Sequence, residues 1–254
     1  MASHSKWANI KRQKARVDAV KGKVFAKLSR EIIVAAKQGG ADPDGNFQLR
    51  TAIDKAKSAG VPNDNIDRAI AKGTGQLGSD GNLEAIRYEG YGPGGVAVLV
   101  EALTDNRNRT AADLRAAFSK NGGNLGETGC VGWMFDQKGV VVVEGRLDEE
   151  TLLEDALEGG AESYEFTEID EDTPGAEIFC PPQELEPLSE HLKTDRYTVR
   201  EVEVRWVPSN TISVTDADQA KSLLKMMDAL EDLEDVQAVT ANFDVEEQLL
   251  AALV

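Results

Sequence analysis

The chain has little of what builds catalytic or redox centres. It has two cysteines, Cys130 and Cys180, fifty positions apart and outside any Cys-x-x-Cys pattern. That fits a reducing compartment and excludes a disulfide-stapled scaffold. His4 and His191 are the only histidines, too few for a His-built zinc or iron centre and for His-centred hydrolysis. No apolar run approaches the ~20 residues that span a bilayer. The charged opening lacks the apolar core of an export signal, so the expected location is the cytoplasm. Between Leu147 and Leu192 there is no Lys or Arg at all.

What is present is a charge split. Residues 1–37 hold ten basic residues (Lys6, Lys11, Arg12, Lys14, Arg16, Lys21, Lys23, Lys27, Arg30 and Lys37) against Asp18 and Glu31. That gives +8, and with the whole chain at −17 the remaining residues carry −25. Basic residues gathered at one end point to an anionic partner, nucleic acid or a membrane surface. Trp7 and His4 lie among the cations, and rings beside phosphate-seeking side chains suit unstacked bases. The plainer reading is a solvated helix face, and the charge contrast favours the binding reading.

The spacing of Val20, Val24, Phe25, Leu28, Ile32 and Ala35 predicts a helix over 18–37. At ~100° per residue, Lys27, Arg30 and Lys37 fall within about 40° of Lys23, opposite Leu28 and Ile32. Further helices are expected at 47–59 and at 63–72, the latter capped by Asn63, before a Gly/Ser/Asp-rich linker over 73–82. Strands are expected at 85–91 and 96–103, then a helix capped by Asn108 or Thr110. A strand through Val131, Trp133 and Phe135 and a turn at 136–139 follow. From Val140 the order reads β-α-β-β-α-β to Val207, the split βαβ plan. A strand at 211–214, a helix at 216–234 and a strand at 236–243 would complete the unit begun at Ala85.

The expected architecture is therefore α+β and multidomain. An N-terminal three-helix domain precedes two ferredoxin-like domains, the second inserted into the first. The expected domains are 1–76, 83–139 with 208–254, and 140–207.

Several motifs dissolve on inspection. Gly90-Tyr91-Gly92-Pro93-Gly94-Gly95 fits the dinucleotide spacing G-x-G-x-x-G, but a strand-like Val96–Val100 follows where a helix is required, so it reads as a turn. Asp170-Glu171-Asp172 fails as a calcium loop because Pro174 and Pro181 occupy ligand positions. Ala2-Ser3-His4 could hold copper or nickel only after loss of Met1, and the acidic run over 148–177 reads as a solvated face. Glu89, Tyr91 and Arg107 lack a nucleophile–base pair, so no enzyme, cofactor or metal is expected. Arg107 and Arg109 precede the expected helix start, where backbone amides also favour an anion, although capping and ion pairing explain them nearly as well.

His4-Ser5-Lys6-Trp7-Ala8-Asn9-Ile10-Lys11, Gly22-Lys23-Val24-Phe25 and Leu28-x-Arg30-Glu31-Ile32 resemble the opening of the YebC/PmpR family. Tyr88-Glu89-Gly90-Tyr91-Gly92-Pro93-Gly94-Gly95, the 105–110 loop, Trp133-Met134-Phe135 and Asn242-Phe243-Asp244 extend the resemblance to about residue 244. It implies one helical and two α+β domains without catalytic activity. It also implies DNA-binding transcriptional regulation in bacterial members, translational activation in mitochondrial ones, and ribosome-directed factors among some bacterial ones. The expected partners are thus nucleic acid (DNA or ribosomal RNA), with the ribosome or another protein reached through the acidic domains. No membrane is expected, and the chain is expected to be a monomer. The expected nucleic-acid-binding residues are Lys6, Trp7, Lys11, Arg12, Lys14, Arg16, Lys21, Lys23, Lys27, Arg30, Arg107 and Arg109.

Overall fold

A computed structural model describes residues 18–77, 83–145, 147–170, 173–194, 196–246 and 249. Contacts divide them into two compact units, one of residues 135–209 and the other of the described residues up to Met134 with those from Asn210 onward.

Three helices open the second unit: α1 (Asp18–Gly39), α2 (Phe47–Ser58) and α3 (Asn63–Gly73). The 3.6-residue spacing of Leu28, Ile32 and Ala35 buries one stripe of α1 against Leu49, Ile53 and Ala56 of α2 and Ile66 and Ala69 of α3. The Asn46 side chain starts α2 by accepting from Leu49 N and donates to the Ala35 and Gly40 carbonyls, so one buried amide closes both helix ends. The expected cap at Asn63 is corrected: Pro62 precedes α3 with no side-chain cap, and Asn63 is its first residue.

Next come β1 (Glu84–Tyr91), β2 (Ala97–Thr104), α4 (Arg107–Lys120) and β3 (Asn124–Leu125). Gly94 and Gly95 both hold φ +76 between β1 and β2, a conformation few other residues tolerate. The strand that follows makes this a hairpin turn and leaves no helix N-terminus for a dinucleotide. Gly90 is needed for a different reason, because a Cβ there would meet the Asn124 carbonyl at 2.6 Å and the Phe118 ring at 2.8 Å.

The other unit runs β4 (Phe135–Glu144), α5 (Glu149–Glu158), β5 (Ser163–Asp170), β6 (Thr173–Cys180), α6 (Leu185–Leu192) and β7 (Thr198–Pro208). Its strand order, β5-β6-β4-β7 with antiparallel neighbours, is the ferredoxin-like plan read from the sequence. The turn expected at 136–139 is absent. Gln137 pairs with Trp206 and Lys138 with Arg205, because β7 is long enough to hold β4 in the ladder from Phe135 onward.

The chain then returns through β8 (Ile212–Ser213), α7 (Ala217–Glu231), β9 (Val236–Ala241) and β10 (Phe243–Asp244). β9 adds to β2, giving the sheet order β3-β1-β2-β9, so one sheet closes across the inserted unit. The strand expected at 211–214 does not enter that sheet; β8 pairs in parallel with β10. Asn242 explains the closing motif. Fully buried, it accepts from Ala97 N through Oδ1 at 2.7 Å and lies 3.4 Å from Asn210, where the chain re-enters the unit.

Candidate nucleic-acid interface

Lys6, Trp7, Lys11, Arg12, Lys14 and Arg16 lie outside the described residues, and so does the side chain of Lys21. Among the described cations of α1, Lys23, Lys27 and Arg30 form one stripe at i, i+4 and i+7, and Lys37 stands two turns further on in the last turn. That stripe faces the end of α7 and the turn that follows it. Lys23 Nζ lies 3.4 Å from Asp232 Oδ1, and Lys27 Nζ donates to the Glu231 carbonyl at 2.6 Å. Arg30 donates to both the carbonyl and the carboxylate of Glu234 and stands 3.9 Å from Asp235 Oδ1. The turn therefore meets the basic stripe with three carboxylates and the carbonyl-rich, partially negative end of a helix.

Arg107 and Arg109 are not ahead of a helix but within its first turn. Asn106, rather than Asn108 or Thr110, is the cap and accepts from Arg109 N. Arg107 Nε pairs with Glu84 at 2.6 Å. Arg109 reaches Asp105 and Asp235, both at 2.8 Å. Asp235 is 7% exposed and also accepts from Thr110 at 2.7 Å and Thr104 at 3.2 Å. Burial alone would raise its carboxyl, but hydrogen bonds from Arg109 and Thr110 and the Arg109 charge hold it below the ordinary carboxylate range. The 105–110 loop thus anchors Asp235, a residue that sequence reading passed over.

Glu89 is the other buried acid of this unit, 1% exposed. Its Oε2 accepts from Val131 N at 2.8 Å and Gly132 N at 2.7 Å. Oε1 has no hydrogen-bond partner, and Arg87 Nε stands 3.7 Å away. Burial pushes this carboxyl up, yet the amides of Val131, Gly129 and Gly132, with Arg87, bring it below its ordinary value. The loop that wraps Glu89 also places Trp133 outward, 71% exposed, in a short 3-10 turn where a strand was expected. Tyr91 Oη and Trp133 Nε1 both donate to the Cys130 carbonyl. Glu89, Tyr91 and Arg107 are thereby committed to structural partners.

In the inserted unit, ligand atoms of Asp155, Glu158 and His191 lie within 4.8 Å of one another. Asp155 already accepts from Tyr197 at 2.6 Å and Arg196 at 3.1 Å, so a cation there would have to displace a guanidinium. Among the described residues, no helix is long and apolar enough to cross a membrane.

Comparison with known proteins covers almost the whole chain. Residues 5–76 match a family model described as the TACO1/YebC protein N-terminal domain, and residues 83–243 match one described as the TACO1/YebC second and third domain. A protein of Gloeothece citriformis named "probable transcriptional regulatory protein" is 68% identical over 252 residues, covering 99% of this chain and 98% of its own. One of Nostoc punctiforme with the same description is 69% identical over 252 residues, with the same coverage. A crystal structure of a conserved hypothetical protein from Aquifex aeolicus superposes with a TM-score of 0.83 at 46% identity, covering 92% of this chain and 94% of that one.

Proposed function

Because the chain belongs to the TACO1/YebC family, we propose that it is a non-enzymatic, nucleic-acid-binding regulator of gene expression, and specifically a transcriptional regulator. The relatives' names support the regulatory role. The observation that carries the nucleic-acid part is the charge split, +8 over residues 1–37 in a chain of net −17. A body so acidic disfavours wrapping a long duplex and favours one localised contact through the basic end. On this reading the domains are 1–76, 83–139 with 208–254, and 140–207, and Lys6, Trp7, Lys11, Arg12, Lys14 and Arg16 make the first contacts.

A second reading, a ribosome- or RNA-directed translation factor in the cytoplasm, rests on the same cations, since phosphate contacts do not distinguish DNA from RNA. Cosedimentation with duplex DNA and with ribosomes, in parallel and at physiological salt, separates the two. Pelleting with DNA alone supports the transcriptional reading, with ribosomes alone the translational one, and with neither removes both.

The charge split predicts the outcome of a triple variant. Lys6→Ala, Lys11→Ala and Arg12→Ala together should weaken binding by about tenfold or more while leaving the melting temperature within about 2 °C, because phosphate contacts dominate binding and a surface charge contributes little to folding. Gel-shift titration beside a thermal melt checks it. A melting drop that matches the binding loss would assign these residues to the fold instead.

A further inference from the structure

We infer that the turn after α7 (Asp232, Glu234 and Asp235, with the Glu231 and Glu234 carbonyls) is a built-in phosphate mimic. It covers the cationic stripe of α1, and a nucleic-acid backbone must displace it to reach Lys23, Lys27 and Arg30. The inference rests on the nucleic-acid reading above and adds to it a site and its regulation.

Three observations carry it. The first is complementarity. Cations at i, i+4 and i+7 meet the carboxylates of Asp232, Glu234 and Asp235 and the carbonyls of Glu231 and Glu234. The pattern is that of a phosphodiester strand laid along a basic helix face.

The second is that one of these acids, Asp235, is held in place by its own domain. Asp235 is fixed by Arg109, Thr110 and Thr104, and its backbone carbonyl accepts from Leu103 N at 2.8 Å, whether or not α1 is near. Opening would therefore leave the turn intact.

The third is the chemistry of the junction. The apolar core of α1, α2 and α3 is closed on itself, drawing its buried members from those helices and, at Val61, from the loop between α2 and α3. The described bonds from Lys23, Lys27 and Arg30 to the turn are ionic or carbonyl-directed. Lys23 and Asp232 remain largely exposed, with side chains 59% and 71% accessible. Exposed ion pairs are individually weak and screened by salt, whereas displaced phosphate counterions drive nucleic-acid binding. A latch of this kind yields to a polyanion without unfolding either part.

The test uses the full chain, leaving Asp235 in place because it is structural. The double variant Asp232→Asn with Glu234→Gln is compared with wild type. A control, Glu150→Gln with Glu154→Gln, removes the same charge from the inserted unit. Affinity for a short random-sequence RNA and for the matching DNA duplex is measured at physiological salt. The expected result is about tenfold tighter binding by the turn variant to whichever polymer wild type binds, with the control within about twofold of wild type. Equal gains in both variants would mean general charge repulsion and overturn the latch. Unchanged or weaker binding by the turn variant, with wild type binding, would overturn the latch and leave the nucleic-acid reading standing. No binding by any of the three proteins would remove the nucleic-acid reading and the latch together.

Discussion

Asp235→Ala is expected to be among the most damaging single substitutions in this chain. The side chain is 7% exposed, and it satisfies Arg109, Thr104 and Thr110 at once. Removing it takes the buried acceptor from the Thr104 and Thr110 hydroxyls, while Arg109, about half exposed, keeps Asp105. A buried donor left without its acceptor costs about 1–3 kcal/mol. At roughly 2–4 °C per kcal/mol for a chain of this size, the two together should lower the melting temperature by about 4–24 °C. Asp235→Asn keeps the shape and one acceptor, so it should lose less. A differential scanning profile of both variants checks the order. Equal, small losses would mean that solvent already satisfies Arg109.

Glu89→Ala is expected to come close behind. It strands the Val131 and Gly132 amides, each otherwise bonded within 2.8 Å, at about 1–3 kcal/mol per orphaned buried donor. The same residue predicts an acid limb of stability. The Glu89 and Asp235 carboxyls are both held below their ordinary values in the folded chain. The unfolded chain therefore binds protons first as pH falls, and stability present above about pH 4–5 is lost as pH drops through the folded values. Glu89→Gln cannot titrate, although its amide oxygen can still accept from both backbone donors. It should leave stability near pH 7 lowered by less than the alanine variant and make the decline between about pH 5 and pH 3 shallower. Chemical denaturation at a series of pH values measures this. An unchanged acid limb would assign the titration elsewhere.

Much of the fold was legible because local periodicity and burial agreed. Leu28, Ile32 and Ala35 mark the buried stripe of α1, and β4 through β7 follow the order read from residue 140 onward. The departures between residues 106 and 139 share one cause: the deciding partner is distant in sequence. Val131, Trp133 and Phe135 alternate like a strand, but Glu89 recruits the amides of Val131 and Gly132 and folds that stretch into a turn. Asp136 to Gly139 has turn composition, yet β7 extends the ladder through it. Asn106, Asn108 and Thr110 are all competent caps. Asn106 takes the role, and the Thr110 hydroxyl donates to Asp235.

The candidate site divides along the same line. The basic face of α1 was readable from charge at helical spacing, because that is a property of one segment. Its engagement with residues 231–235 was not, because about 200 positions separate the two and neither segment names the other. Arg107 and Arg109 looked like anion-binding arginines because their acids, Glu84 and Asp235, are likewise remote.

On the proposed function, this chain acts by holding phosphates with its basic N-terminal residues. The most direct test is the salt dependence of binding to the nucleic acid with which it cosediments. Contact with roughly four to six phosphates predicts that log K falls against log salt with a slope of about −3 to −5, and that Lys6→Ala, Lys11→Ala and Arg12→Ala together make the slope shallower by about 2–3. A flat salt dependence, or a slope that the triple variant does not change, would contradict it.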